Sequence, residues 1–266
     1  MVPSCETGTC GQSLVQTVGK ITHGERTKAG EWPWMVAIAI NYKNFSNVVC
    51  GGALIDTQTV LTAAHCFDTP DVFELFFGKY RRQTADDDEK VEKRTNLTVK
   101  IHPNYNKTTY DSDIAVVRFS PRIKYNDRVQ PICLPSFETT AHNIHRGKKG
   151  YVTGWGLNEK DMPSDALFMA HLPVMPADFC VKAYQNQGLQ LPITSNMFCA
   201  GFENGGTSAC TGDSGSPMVF RDRRLHRYVV EGLVSFGVSG ECGLPRRYTV
   251  FTKIQPYLPW IFHNKS

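Results

Sequence analysis

No stretch of the 266 residues approaches the ~18 consecutive apolar positions that a helical membrane span requires, so no membrane segment is expected. No two cysteines form a CxxC pair, which removes the signal for zinc ribbons and thioredoxin-like folds. The formal charge is only +4 and the positive residues are scattered, so nucleic acid is not an expected partner. The densest basic clusters, Arg221, Arg223, Arg224 and Arg246, Arg247, read as solvated loops. Helical periodicity is scarce, and there is no internal repeat or low-complexity tract. The opening MVPSCETGTCGQSL has neither a basic n-region nor an apolar h-region, so it is not read as a secretory signal.

What is present points to an oxidising compartment. Nine widely spaced cysteines fit disulfides. Four N-x-S/T triplets, at Asn44, Asn96, Asn106 and Asn264, agree with a secreted chain, and the first three are candidate glycosylation sites. A chain that looks secreted but begins without its own signal is expected to follow upstream modules. The 41% hydrophobic content is enough for a core.

Short β-type runs recur: WMVAIAI (34–40), TVLTAA (59–64), IAVVRF (114–119), GYVTGWG (150–156), PMVF (217–220) and YVVEGLVSFG (228–237). Glycine-rich turns separate them, which argues for an all-β sandwich or barrel over βαβ units. Only YLPWIFHN reads as a helix, short and terminal, with Leu258, Ile261 and Phe262 inward and Pro259 confined to its first turn.

Three stretches carry chemistry. TSACTGDSGSP holds Ser214 among small turn-forming residues; LTAAHC places His65 beside Cys66; YDSDIAVV sets Asp113 at the mouth of an apolar strand, where a buried acid needs partners. Together they supply a nucleophile, a base and an orienting carboxylate, with the N–H groups of Gly212 and Ser214 available as an oxyanion hole. GDSGS narrowly misses the G-x-S-x-G pattern of α/β-hydrolases, whose residue order also differs.

Those stretches, with GEWPWMV, CGGALI, VQPICLP, VTGWG, NMFCAG, VSFG and FTKI, resemble the chymotrypsin family of serine proteases over residues 21–266. The resemblance implies two six-stranded antiparallel β-barrels, roughly 21–135 and 136–266, with the site between them and residues 1–20 as a propeptide or linker. It implies a zymogen cut after Lys20, the new ammonium of Ile21 inserting beside Asp213. It implies disulfides Cys50–Cys66, Cys180–Cys199, Cys210–Cys242 and Cys10–Cys133, with Cys5 left single. The specificity pocket would have Ser208 at its floor and Ser235, Gly237 and Thr249 in its walls. An uncharged floor argues for cleavage after apolar residues, because lysine or arginine would be buried unpaired. Lys79 stands where calcium-binding relatives carry a carboxylate, so no calcium is expected there; the acidic run Asp86-Asp87-Asp88-Glu89, read as an exposed loop, is the alternative place for a loosely held ion, and no cofactor is expected. Within the family, VTGWGLNE, FFGKY and RVQPICLP resemble the protease end of horseshoe-crab clotting factor C and of insect modular serine proteases. That implies an extracellular immune or clotting cascade, with a downstream zymogen as substrate, upstream recognition modules, and inhibitors such as serpins as partners. The alternatives are a catalytically inactive homologue acting as a scaffold and a digestive or venom elastase-like enzyme.

Overall fold

The computed structural model describes residues 10–15, 25–42, 45–82, 90–157, 162, 164–190, 192–222, 224, 226–237 and 243–266. Cys5, Lys20, Ile21, Asn44, the acidic run 86–89 and Cys242 lie outside them.

The first half of the chain forms β1 (Glu25–Arg26), β2 (Met35–Tyr42), β3 (Phe45–Asp56), β4 (Thr59–Thr62), β5 (Phe73–Phe77), β6 (Glu92–Arg94), β7 (Asn96–Ile101) and β8 (Ala115–Ser120). After helix α1 (Phe137–Asn143) come β9 (Lys149–Gly154), β10 (Phe168–Met175), helix α2 (Ala177–Gln185), β11 (Met197–Ala200), β12 (Pro217–Asp222), β13 (Arg227–Phe236), β14 (Thr249–Lys253) and the terminal helix α3 (Leu258–Asn264).

All strand pairings are antiparallel. In the second half, β10-β11-β14-β13-β12-β9 closes through a β9–β10 pairing into a six-stranded barrel, and β1 adds to β10. The first-half sheet runs β6-β5-β2-β3-β4-β8-β7 and curls without a closing ladder among the described residues. Seven strands stand there where six were expected, because the run 92–101 breaks at Thr95 and its two pieces pair with different neighbours, β5 and β8.

Alternation along β2 explains the layering. Val36 and Ile38 enter the interior of the first sheet with Leu54, Leu75 and Phe77. Met35, Ala37 and Ala39 face the opposite way, into a cluster with Trp34, Trp155, Val230 and Leu233 that joins the two halves. Each fully buried aliphatic there contributes about 1.5–3 kcal/mol. Val152, Val174, Phe220 and Phe251 fill the second barrel.

The chain ends cross over. β1 belongs to the second sheet although it falls in the segment assigned to the first barrel. Cys10 is disulfide-bonded to Cys133, and Gly11 bridges Pro131 and β13 through Gly11 N–H to Pro131 O (2.7 Å) and Tyr228 N–H to Gly11 O (2.8 Å). At the other end Ile261 is fully buried, while Leu258 and Phe262 are half-buried. His102 of the first half lies edge-on to both Tyr257 (4.9 Å) and Trp260 (4.8 Å).

Candidate active site

His65 sits in a single 3-10 turn, Ala64–Phe67, directly after β4. The Cys50–Cys66 disulfide fastens that turn to β3, and Thr62 Oγ1 donates to Gly51 O at 2.7 Å. Closing a loop of this size stabilises by about 3 kcal/mol and removes freedom from the imidazole.

Asp113 precedes β8 and is completely buried. Its carboxylate accepts the His65 backbone N–H at 2.9 Å and lies 2.8 Å from His65 Nδ1. A carboxylate can only accept, so Nδ1 is the donor and Nε2 carries the free lone pair. Ser235, expected only as a pocket wall, donates a short hydrogen bond from its hydroxyl to Asp113 Oδ2. Thr252 Oγ1 donates to the Asp113 carbonyl at 3.0 Å, and Tyr257 OH to Ser112 Oγ at 3.0 Å. Both strained residues of this approach, Tyr110 and Ser112, have φ of 56°. Tyr110 lies edge-on to the His65 ring at 5.8 Å.

Ser214 comes from the turn before β12. Its carbonyl accepts the Gly51 N–H at 2.8 Å, which ties the Ser214 loop to the strand held by the Cys50–Cys66 disulfide. Gly215, at φ 74°, packs so tightly on Thr62 and Ala63 that a Cβ there would lie 2.1 Å from Thr62 Oγ1. The loop therefore abuts the backbone two residues before His65. The Ser214 hydroxyl makes no hydrogen bond among the described residues. Hydrogen bonds between catalytic groups commonly shorten only when substrate binds.

Within the GDSG turn the Asp213 N–H donates to Cys210 O at 2.9 Å. The N–H groups on either side of it, Gly212 and Ser214, donate to no protein acceptor among the described residues. That pair is the expected oxyanion hole. The Asp213 carboxyl turns inward, where Gly154 and Gly156 leave room that a Cβ would close to 1.9 and 2.6 Å. It accepts Gly156 N–H at 2.9 Å and Cys210 N–H at 2.8 Å. Burial pushes it up to about 6, the two backbone donors pulling the other way.

Around the expected pocket, Ser208 Oγ accepts Gly243 N–H at 2.9 Å. Thr249 is buried and opposite Ala200 on β11, and Gly237 faces open space. Cys180–Cys199 is formed and Cys210 is disulfide-bonded. Lys79 is buried with its ammonium 5.3 Å from the Phe76 ring centre. Asn96 and Asn106 are exposed.

The Trypsin family model matches residues 21–261. The chain is 39% identical to Limulus clotting factor C of Carcinoscorpius rotundicauda over 264 residues, 95% of this chain and 26% of that protein. It is 35% identical to the proclotting enzyme of Tachypleus tridentatus over 254 residues, 92% of this chain and 66% of that protein. Mannan-binding lectin serine protease 1 of Mus musculus is 34% identical over 263 residues, 92% of this chain and 35% of that protein. The chain thus spans about a quarter of the length of the clotting factor. With the His65 imidazole bonded to the buried Asp113 and the Ser214 loop hydrogen-bonded to the strand that the Cys50–Cys66 disulfide holds, and with the family model matching residues 21–261, the chain belongs to the trypsin family of serine proteases.

Proposed function

We propose that the chain is the catalytic domain of a secreted endopeptidase, made as a zymogen, that cuts after apolar residues in an extracellular cascade. Ser214 attacks the scissile carbonyl while His65 Nε2 takes its proton and later returns it to the leaving amine. Asp113 orients the ring, and the N–H groups of Gly212 and Ser214 hold the oxyanion, each worth about 3 kcal/mol of barrier. The observation that carries this reading is the fully buried Asp113 carboxylate, bonded at both oxygens to His65 and buttressed by Ser235.

Activation follows from Asp213. Above pH 6 its inward carboxylate is charged, with two backbone donors and no described cation. The ammonium of Ile21, freed by cleavage after Lys20, supplies that charge; removing one partner of such a buried pair costs about 3–5 kcal/mol. The neutral Ser208 favours leucine or tyrosine before the scissile bond, so a different protease, specific for basic residues, makes the cut at Lys20. Likeness to clotting and complement-type enzymes supports a protein substrate such as a downstream zymogen, with recognition modules upstream and serpin-type inhibitors. Among the described residues no helix is long and apolar enough to cross a membrane.

The test is fluorophosphonate labelling before and after cleavage at Lys20, followed by peptide-library profiling, with Ser214→Ala as control. Labelling confined to cleaved wild type, and cuts after apolar residues, are expected. No labelling would favour an inactive scaffold. Cuts after arginine would overturn the pocket reading, and rapid self-cleavage at Lys20 the activation reading.

A further inference from the structure

Resting on the proposed secretion and proteolysis, we infer that Asn106 carries an N-linked glycan that stands at the rim of the cleft and screens macromolecules approaching His65. The triplet Asn106-Lys107-Thr108 lies in the loop between β7 and β8, which ends on Asp113.

Every inward-facing group of Asn106 is already engaged. Its N–H donates to Asp111 O at 3.0 Å, and its carbonyl accepts the Tyr110 N–H at 2.8 Å. Its amide oxygen accepts the N–H groups of Thr108 (2.9 Å) and Thr109 (3.1 Å). The amide nitrogen of this exposed side chain donates to no protein group among the described residues. The other described sequons differ: Asn96 Nδ2 donates to Ser120 Oγ at 2.6 Å, and Asn264 Nδ2 to Trp260 O at 2.8 Å. Asn106 therefore accepts a bulky substituent without loss of any hydrogen bond of the fold.

The loop is also fixed relative to the site. Lys107 Nζ and Tyr105 OH both reach Asp68, the residue that closes the His65 turn, at 2.8 and 3.3 Å. Thr194 Oγ1 holds Asp111 at 2.7 Å from the second half of the chain. Tyr110, one hydrogen-bonded turn after Asn106, touches the His65 ring. A glycan rooted here cannot swing away with a floppy loop.

The modification balances simply. Asn106 Nδ2 bonds to the anomeric carbon of a lipid-pyrophosphate oligosaccharide, the bond from that carbon to phosphate oxygen breaks, one amide proton is lost and the lipid diphosphate leaves. No redox step occurs.

The test compares wild type with Thr108→Ala and Thr108→Ser in full-length protein secreted from eukaryotic cells. Thr108→Ala removes the acceptor signal and keeps the backbone N–H that Asn106 uses; Thr108→Ser keeps the signal. Glycopeptide mapping reads occupancy without any need for activity. The activated proteins are then assayed on labelled casein and on a short apolar peptide. Thr108→Ala is expected to gain about tenfold on casein, within the range over which access alters encounter rates, with the peptide unchanged. Thr108→Ser should match wild type, and trimming the folded wild type with an endoglycosidase should reproduce Thr108→Ala. An unmodified Asn106 in the secreted protein, or equal casein-to-peptide ratios in all three, overturns the inference. Failure of fluorophosphonate labelling would instead sink the protease reading and leave the mapping result standing.

Discussion

Asp113 shows how the chemistry is set by single residues. A fully buried carboxylate is tolerated because its oxygens accept three hydrogen bonds, two from His65 and one from Ser235. The sequence announces the acid, since an aspartate leading into an apolar strand must find partners. It announces Ser235 less clearly. A serine inside the run YVVEGLVSFG is a buried polar group that also needs a partner, and nothing local says which. Removing one donor from a buried charged acceptor costs roughly 1–3 kcal/mol. Ser235→Ala is therefore expected to lower kcat about tenfold while KM stays near wild type. Steady-state kinetics on one peptide decide this; an effect confined to KM would return Ser235 to the role of a pocket wall alone.

At the scale of elements, the strands with the strongest apolar runs and the terminal helix were legible, and the two internal helices were not. Alternating or continuous apolar runs mark β2, β8, β9, β12 and β13, and each forms where its run lies. The terminal helix is also legible, with Pro259 tolerated in its first turn. Helices α1 and α2 are too short for their periodicity to stand out. α1 depends on a capping box, Ser136 with Thr139, and on what it covers. It covers Glu231, a fully buried acid in the middle of β13. Thr140 Oγ1 (2.6 Å) and Asn143 Nδ2 (2.8 Å) donate to it from the helix. Burial nevertheless raises its carboxyl from 4.5 to about 7. Folding thus favours the protonated form. The stabilisation is complete below the unfolded value and is lost as pH rises through about 7, on the order of 3 kcal/mol in all. Glu231→Gln keeps a neutral group at every pH, with its amide oxygen placed to accept from Asn143 Nδ2 and its NH₂ to donate to the Thr140 hydroxyl. Thermal unfolding at pH 5.5 and 8.5 should show a smaller fall in Tm for Glu231→Gln than for wild type. Equal falls would mean that Glu231 does not titrate in this window.

Across the whole molecule, function depends on how closely the two halves meet. The motifs name the residues of the site, but the distance between barrels is a property of packing that no motif states. It is set where β3 meets the nucleophile loop. Gly51 donates to Ser214 O, and an added Cβ at Gly51 would lie 2.1 Å from Ser216 Oγ and 3.1 Å from Ser216 Cα. Ser216 is fully buried, and its hydroxyl makes no hydrogen bond among the described residues. The pair Gly51 and Ser216 thus fills one seam with no slack. Gly51→Ala should force the halves apart, at about 1–3 kcal/mol for an overpacked contact. It should also lower kcat, because small displacements of a nucleophile from its base are costly. Ser216→Gly alone removes an unsatisfied hydroxyl and should leave stability and activity close to wild type. Combined, the two should recover part of the loss, since Oγ is gone while the Ser216 backbone still crowds the new methyl. A double-mutant cycle in urea midpoint and in kcat measures that coupling directly. Strict additivity of the two substitutions would show that the seam is not what spaces Ser214 from His65.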